Sequence, residues 1–235
     1  MAHASGPSAD LTISPQRHAT MPEEPRTFGV NDSDQYWRDR KAAGRTSEKR
    51  VHHFIRAMVD ECVPEPGKVL ICGVGDGHEY RLCAERHQTW GVEMSRHAIE
   101  QYDFATDRIE NADLNSGFPP FDSHFDAITV SMVLHWLTNP EQFLHEAESL
   151  LCKGGSLVVV IPNITYYRHR LRFLLGHFPP ISASHKNFQT PAEVEDLFRR
   201  AGYRILKRAA SKPALKCRLF PTLFATDLGY ILQPS

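Results

Sequence analysis

The sequence predicts an α/β fold in which a single doubly wound domain holds a mostly parallel, seven-stranded sheet with helices on both faces. Three observations lead to this prediction. Strand and helix patterns alternate from residue 68 to residue 161, and such alternation is typical of parallel strands joined by helical crossovers. A glycine-rich segment joins the first of these strands to the helix that follows it. The chain is also 41% hydrophobic and 23% charged, which is ordinary for a soluble globular protein.

The N-terminal residues differ in composition from the rest of the chain. Residues 1–30 are rich in Pro, Ser and Ala and lack the apolar core of a signal peptide. We therefore expect a disordered tail there, and we assign residues 31–235 to the single domain.

Tyr36 and Trp37 lie in a polar setting within "DQYWRDR". The first helix is predicted to follow Ser47, a suitable N-cap, because apolar side chains then recur at helical spacing: Val51, Phe54, Ile55, Met58 and Cys62.

Four short apolar segments are predicted to form the first parallel strands. Ligands of open α/β sheets bind beyond the carboxyl ends of the strands. The glycine loop, Glu93, Asp113 and the segment after Ser131 all fall at such ends, so we expect one crevice to collect them. The strands are 68–72, 89–94, a brief extended piece ending at Asp113, and 125–132, with helices over about 77–86 and 95–102.

Capping signals predict the helices of the second half of the chain. Asn139 followed by Pro140 marks a helix start, and the paired glycines at 154–155 are expected to stop this helix. Thr190 and Glu193 are typical of a capping box at the start of another helix. The remaining elements are a buried strand over 156–162, a helix inserted around 164–177, a helix stop at Gly202, and strands near 203–209 and 225–232.

The glycine loop "GVGDG" differs from the segment that binds a dinucleotide. A dinucleotide fingerprint reads G-x-G-x-x-G, whereas the third glycine here comes one residue early. Asp76 and Glu79 also flank the start of the following helix, where carboxylates would satisfy the backbone donors and repel a pyrophosphate. We therefore expect the loop to hold a ligand without phosphates at that place, and a cofactor with a positive charge suits it better.

Two carboxylates follow the loop at positions suited to a nucleoside. Glu93 lies twenty residues after Gly73, and an acid at that distance can accept hydrogen bonds from both hydroxyls of a ribose. Asp113 ends the third strand, where its side chain can accept from an adenine amino group. Alternatively, the glycines form only a tight turn and the carboxylates are only solvated. The order of the three features on a βαβ pattern favours the binding interpretation.

These motifs resemble those of the class I S-adenosylmethionine-dependent methyltransferases, which have a Rossmann-like fold. "VLICGVGDG" is similar to their first motif, "GVEM" to their ribose-binding acid, and "NADLNSGFPPFDSHFDAITVSMVLHWLTNP" to the stretch through the fourth strand. "IPNITYYRHRLRFLLGHF" and "SHKNFQTPAEVEDLFRRAGYRI" look most like MetW-like (type 11) methyltransferase domains and those of glycan and lipopolysaccharide clusters. The resemblance covers roughly residues 45–235. It implies S-adenosyl-L-methionine as cofactor and methyl transfer to an O or N nucleophile of a small molecule or glycan-type metabolite.

The resemblance also implies which residues would bind the cofactor. Gly73, Gly75 and Gly77 would lie against its methionine and ribose portions, and Glu93 would hold the ribose hydroxyls. Met94, Asp113 and the backbone of Leu114 would meet the adenine. Ser131 and Met132 would face the methionine end.

One residue departs from the family pattern. The family usually has an acid two residues before the first glycine, where this chain has Ile71. The absence of this acid predicts either weaker cofactor binding or loss of catalysis. The alternative function is therefore a catalytically weak regulatory or partner-binding protein on the same fold. A Rossmann-type oxidoreductase is disfavoured by the glycine spacing and by the acids beside the loop.

Two histidines are candidate catalytic bases. His135 follows the fourth strand and His185 precedes the capped helix; either could remove a proton from a hydroxyl nucleophile, although His135 could instead cap or pack its loop. Tyr36, Trp37 and Trp136 could wall the substrate pocket or fill the core. Arg168 and Arg172 are one helical turn apart, which suits a phosphate or carboxylate, but a solvated cationic face has the same pattern.

Composition bounds the partners and the location. The chain has 27 basic and 28 acidic residues, so no overall field recruits nucleic acid or an anionic membrane, and no apolar window is long enough to span a bilayer. The five cysteines are scattered without a C-x-x-C pair and the 13 histidines lack H-x-x-x-H spacing. We therefore expect reduced thiols, a cytoplasmic protein, no metal site, a small-molecule acceptor, and neither a nucleic-acid nor a membrane partner.

Overall fold

The computed structural model describes residues 30–179, 187, 189–212 and 214–235. All but the last residue of the predicted disordered tail, and His185, therefore lie outside the described residues. The strands are β1 (Lys68–Cys72), β2 (Gln88–Glu93), β3 (Ile109–Asn111), β4 (Phe125–Ser131), β5 (Leu151–Pro162), β6 (Tyr203–Ala210) and β7 (Asp227–Pro234). The helices are α1 (Val30–Ala42), α2 (Arg50–Cys62), α3 (His78–Ala84), α4 (Arg96–Ile99), α5 (Pro140–Leu150), α6 (Tyr167–Leu174), α7 (Pro191–Arg200), α8 (Leu215–Leu219) and α9 (Pro221–Phe224).

The seven strands form one sheet in the order β3-β2-β1-β4-β5-β7-β6. Neighbouring strands are parallel from β3 through β2, β1 and β4 to β5, whereas β7 is antiparallel to both β5 and β6. A short connection explains this exception. Helices α8 and α9 lie at the end of the sheet where β6 stops, so the chain enters the sheet again from that end and β7 runs in the opposite direction. The prediction of a mostly parallel, seven-stranded sheet is confirmed. The strand order reverses between β1 and β4, and a ligand crevice forms at such a switch point.

Apolar side chains pack on both faces of the sheet. On one face, residues of α5 and α7 such as Phe143 and Phe198 join alternate strand residues such as Leu70. On the other face, α2 and α3 supply residues such as Ile55 and Tyr80, which pack with Ile71. Successive residues of a strand point to opposite faces, so β1 contributes to both clusters. This arrangement places helices on both faces, as the alternating pattern predicts.

Two predicted helix boundaries are wrong, and each has a physical reason. Helix α2 begins at Arg50 rather than after Ser47, because the Lys49 backbone N–H donates to Nδ1 of His52 (3.1 Å). Helix α4 ends at Ile99 because the chain turns Tyr102 inward, where its ring stacks on Phe104 at 4.9 Å.

The paired glycines at 154–155 do not stop the preceding helix. Helix α5 already ends at Leu150, and strand β5 begins at the next residue and includes both glycines. Gly154 has a φ of 83°, and the pairing register with β4 shifts between Phe125 and Ala127. The glycines therefore accommodate an irregularity of the sheet.

Helix α1 has no counterpart among the predicted elements. It packs against α4, where Asp34 Oδ1 accepts hydrogen bonds from the Ser95 hydroxyl (2.6 Å) and the His97 backbone N–H (3.0 Å). The hydroxyl of Ser95 in turn caps α4 by accepting from the Ala98 N–H (3.0 Å). A polar contact of this kind leaves no amphipathic pattern in the sequence. The inserted helix α6 is shorter than the predicted 164–177.

Candidate functional site

The glycine loop lies at the carboxyl end of β1, and its backbone is bound by neighbouring residues. Gly75 has a φ of 64°, in the left-handed region that favours glycine. Its N–H donates to Oε2 of Glu93 (2.8 Å), and its carbonyl accepts from the Tyr102 hydroxyl (3.0 Å). A Cβ added at Gly75 would lie 3.1 Å from the ring of Trp37. The loop therefore makes room for the indole of α1.

Glu93 is the residue that organises this edge of the sheet. Its side chain is buried, with 5% of the residue exposed. Oε2 accepts from the Gly75 N–H and Oε1 accepts from the Ser95 N–H, both at 2.8 Å. Burial raises the pKa of Glu93, and the backbone hydrogen bonds from Ser95, Gly75 and Met94 oppose that rise. Each carboxylate oxygen has capacity for a further hydrogen bond, so the oriented carboxylate can also accept from two hydroxyls.

The ends of β2 and β3 are joined beside this carboxylate. Asn111 Nδ2 donates to the carbonyls of Glu93 (2.9 Å) and Met94 (3.0 Å). Asp113 caps a short 3₁₀ turn that begins at Leu114, and its Oδ1 accepts from both the backbone and the side chain of Asn115 (2.9 and 3.0 Å). Both of these bonds fall on one oxygen of Asp113. The structure therefore brings Glu93, Met94, Asp113 and Leu114 to the same sheet edge.

The carboxyl end of β4 contains a strained residue. Met132 follows Ser131 and has a φ of 55°, the one left-handed φ of a non-glycine residue in the described parts of the chain. Its N–H donates to the carbonyl of Val160 (2.9 Å), and its side chain packs against the cluster on the α2 and α3 face. Such a conformation costs of the order of 1–3 kcal/mol and occurs often at functional sites.

Glu79 has a place in this region that the sequence pattern did not predict. Its side chain turns away from the start of α3 and is buried, where Oε1 accepts from the Thr129 hydroxyl (2.5 Å). Burial raises the pKa of Glu79 to about 7, against the effect of hydrogen bonds from Thr129 and Ser131. The expectation that Glu79 would satisfy the backbone donors of the helix start is therefore wrong. One signal was present, because Glu79 is four residues before the apolar Cys83 and so shares its buried helix face.

The carboxyl group of Glu79 lies on the sheet face that Ile71 occupies. Thr129 is paired with Ile71 in the register of β4 and β1, and paired residues of parallel strands point to the same face. Helix α3 covers that face. The chain has Ile71 in β1 where the family usually has an acid, but Glu79 of α3 places a buried carboxyl next to that position.

The remaining acid of the loop has a different environment. Asp76 Oδ1 lies 3.7 Å from Nε2 of His52, and the His52 ring stacks on that of His78 at 5.3 Å. Burial lowers the pKa of His52, and the Asp76 carboxylate opposes this. The loop therefore has both an acid and an imidazole beside it.

We expect Ile71→Asp to destabilise the fold without strengthening cofactor binding. Ile71 is fully buried, so the new carboxylate would be unpaired and close to Glu79, at a cost of about 3 kcal/mol or more. Chemical denaturation measures this change. Ile71→Val is the matched control and should cost only about 0.5–1.5 kcal/mol. Tighter binding of S-adenosylmethionine at an unchanged melting temperature would instead show that the strand end is hydrated.

The candidate base and the three aromatic residues lie beside the end of β4. His135 is buried in a 3₁₀ turn, its carbonyl accepts from the Asn187 N–H (3.1 Å), and its ring is 5.6 Å from that of Trp136. The Tyr36 ring is 5.3 Å from Trp37 and 6.3 Å from Trp136. These three rings, which we call the aromatic wall, are in neither apolar cluster of the core. His185, the second candidate base, lies outside the described residues.

Within the described residues, no helix is both long and apolar enough to cross a bilayer. The same residues include no group of three or more His, Cys, Asp and Glu side chains that could hold a metal ion.

Comparison with known proteins relates this chain to a family. Residues 36–208 match a family model described as "Methyltransferase domain". The chain is 25% identical over 158 residues to the bifunctional methionine biosynthesis protein MetXA/MetW of Rhodopirellula baltica, and 29% identical over 143 residues to an uncharacterised protein of Mycobacterium tuberculosis. These matches cover 58% and 59% of this chain, but only 25% and 47% of the two relatives.

A solved structure has the same fold. It is the 1,6-didemethyltoxoflavin-N1-methyltransferase of Burkholderia thailandensis with bound 1,6-didemethyltoxoflavin and S-adenosylhomocysteine. The TM-score is 0.62 at 14% identity, and the match covers 86% of this chain and 87% of that one. The resemblance to S-adenosylmethionine-dependent methyltransferases is confirmed, and the MetXA/MetW relative supports its MetW-like character. With most of its length matched by the family model and with the strand order and glycine loop described above, this chain belongs to the methyltransferase domain family.

Proposed function

We propose that this protein binds S-adenosylmethionine and transfers its methyl group to an oxygen or nitrogen of a small molecule or glycan-type metabolite. The observation that carries the proposal is Glu93, a buried carboxylate at the end of β2 that two backbone N–H groups hold in one orientation. Family membership supports the chemistry. The methyltransferase of B. thailandensis, whose name specifies N1-methylation of a small molecule, supports the class of acceptor.

The residues at the site fit an adenosine-containing cofactor with a sulfonium. Glu93 would accept from the ribose hydroxyls, and Asp113 with the Leu114 backbone would meet the adenine edge. Asp76 and the aromatic wall suit a cation better than a phosphate, because carboxylates and aromatic faces both attract positive charge. Gly73, Gly75, Gly77, Met94, Ser131 and Met132 complete the proposed cofactor site. The cofactor would supply an activated methyl group.

We further propose that Glu79 takes over the task of the acid that β1 lacks. Its carboxyl is close to Thr129 and Ser131 at the end of β4 and on the face of Ile71. From there it would hold the strand ends and the start of α3 in the geometry that the site needs. This interpretation weakens the case for a regulatory protein without catalysis, because that case depended on the missing acid.

The chain would promote methyl transfer chiefly by orienting the acceptor. Holding two reactants in line corresponds to effective molarities of about 10⁵–10⁸ M, and the aromatic wall would exclude water and limit the poses of the acceptor. A hydroxyl acceptor would also have to lose a proton. His135 would take that proton, since its buried turn lies at the carboxyl end of β4. His185 is the second proposed base. We also propose that residues 31–235 form the methyltransferase domain and that the protein is cytoplasmic.

Calorimetric titration of the full chain tests the cofactor. We expect binding of S-adenosylmethionine and no binding of NAD. Binding should also change the fluorescence of Trp37, because its ring lies against the glycine loop, and Trp37→Phe should remove most of that change. Trp90→Phe is the matched control, since Trp90 lies in the middle of β2 beside Arg108 and Phe125. Undetectable binding of S-adenosylmethionine would favour the regulatory alternative, and binding of NAD would contradict the proposal.

A further inference from the structure

One surface of the protein exposes large apolar side chains together with cations. Every residue from Leu171 to Phe178 is exposed, including 83% of Leu174 and 74% of Phe178. The short helix α8 adds Leu215, which is 68% exposed. We call the exposed residues of α6, of the turn after it, and of α8 with its flanking residues Lys212 and Phe220 the basic apolar face. Its large apolar members are Leu171, Phe173, Leu174, Leu175, Phe178, Leu215, Leu219 and Phe220.

The two parts of the basic apolar face meet at the Phe224 ring of α9. The Tyr167 ring of α6 lies 5.9 Å from the Phe224 ring of α9, and Lys216 Nζ of α8 lies 5.6 Å from the same Phe224 ring. Below them, Asn163 Nδ2 donates to the carbonyls of Thr222 (2.9 Å) and Ala225 (2.8 Å). These bonds join the end of β5 to α9 and to the residue after it. The face is therefore one surface, at the edge of the sheet where the candidate cofactor site also lies.

The face has a strong positive charge that the composition of the whole chain conceals. Segments 163–179 and 211–226 contain no Asp or Glu, although the net charge of the chain is −1. Two of its arginines donate to backbone carbonyls rather than to carboxylates. Arg170 Nε donates to the Thr165 carbonyl (2.6 Å), and Arg172 Nε to the Phe178 carbonyl (3.2 Å). The cations are Arg168, Arg170, Arg172, Lys212, Lys216 and Arg218.

We propose that the basic apolar face docks the protein on an anionic lipid surface. Helices that combine cations with exposed Leu and Phe lie at the boundary between headgroups and acyl chains, where apolar side chains enter the bilayer and the cations meet lipid phosphates. Arginine suits this boundary because its long stem can lie among apolar groups while the guanidinium stays in the polar layer. The contact is peripheral and needs no membrane-spanning helix.

Charge and shape favour a lipid surface over two other occupants. In a dimer formed through this face, the six cations of one copy would lie against the six cations of the other. Segments 163–179 and 211–226 offer no acid to pair with them, so such a contact is repulsive. A partner peptide or helix needs a groove that receives its anchoring side chains. Helix α6 and its turn instead project all of residues 171–178 into solvent, which suits insertion into a soft surface.

The expectation of no membrane partner depended on the net charge of the whole chain. The cations of the basic apolar face produce a local positive field, which changes that expectation. Juxtaposed cations attract an anionic surface within roughly a Debye length, about 8–10 Å at physiological ionic strength. Docking does not depend on the proposed methyl transfer, so its test needs no cofactor or acceptor.

Co-sedimentation of the full chain with vesicles tests the proposal. We expect binding to vesicles of phosphatidylcholine mixed with phosphatidylglycerol, weakening as salt increases, and little binding to phosphatidylcholine alone. Leu174→Ser with Leu175→Ser should weaken binding at least about tenfold, through loss of apolar insertion. Arg168→Ser with Arg172→Ser should weaken it by about fivefold per cation removed.

Two control variants remove similar groups from other surfaces. Leu206→Ser replaces an exposed leucine of β6, and Arg199→Ser replaces an exposed arginine of α7 that pairs with Asp196; neither should change vesicle binding. Failure of the full chain to bind anionic vesicles would overturn the proposal, as would equal losses in the control variants. A dimer in light scattering that the double leucine variant abolishes, without vesicle binding, would assign the face to a second copy.

Discussion

Replacing Glu93 by Ala should abolish binding of S-adenosylmethionine and also lower the free energy of unfolding. The two effects share a cause, since the carboxylate that would accept from the ribose also accepts from the backbone N–H groups of Gly75 and Ser95. A buried donor left without a partner costs about 1–3 kcal/mol, so the variant should lose about 2–5 kcal/mol of stability. Calorimetric titration measures the binding, and chemical denaturation measures the stability.

Glu93→Gln is the informative companion variant. The amide has the same shape, but only one of its two terminal atoms is an acceptor. One of the two N–H groups would then face another donor, so the variant should lose about half of the stability that Glu93→Ala loses. It should also bind the cofactor at least about tenfold more weakly, because a single neutral acceptor replaces a charged pair of acceptors. Unchanged binding in Glu93→Ala would contradict the assignment of Glu93 to the cofactor.

Replacing Glu79 by Gln should make the protein more stable at alkaline pH and leave it nearly unchanged at acidic pH. The pKa of Glu79 rises from 4.5 to about 7 in the folded protein because the carboxyl is buried. Between these two values the folded state binds more protons than the unfolded state, so stability falls as pH increases through that range. The shift corresponds to about 3 kcal/mol above pH 7. The glutamine stays neutral and avoids this loss.

Denaturation of wild type and variant at about pH 5 and about pH 9 measures the difference. Comparing the two proteins at each pH cancels the contributions of other titrating groups. Glu110→Gln, which removes an exposed carboxylate of β3, is the control and should show no such difference between the two pH values. A Glu79→Gln variant that is equally destabilised at both pH values would show that the carboxylate is ionised when folded. If Glu79 also has the proposed role at the site, the variant should bind S-adenosylmethionine more weakly while remaining folded.

The sequence by itself determined the elements whose signals lie within a few residues of one another. The start of α7 was predictable because Thr190 and Glu193 cap it reciprocally, with the Thr190 N–H donating to Glu193 Oε2 at 2.7 Å. Asn139 likewise caps α5 by accepting from the Gln142 N–H (3.2 Å). The order of strands and helices predicted a parallel sheet, and the positions of Glu93 and Asp113 at strand ends predicted where the candidate site would lie.

Only the tertiary structure decided the contacts between distant parts of the chain. Trp37 lies over Gly75, and Glu79 meets Thr129 fifty residues away in sequence. Helix α1 is held by the hydrogen bonds of Asp34, so its sequence has no apolar stripe to reveal it. Whether Gly154 and its neighbour would stop a helix or accommodate a bulge depended on pairing with β4. Local propensity and capping act over about one turn of chain, whereas burial and pairing depend on which segments the fold brings together.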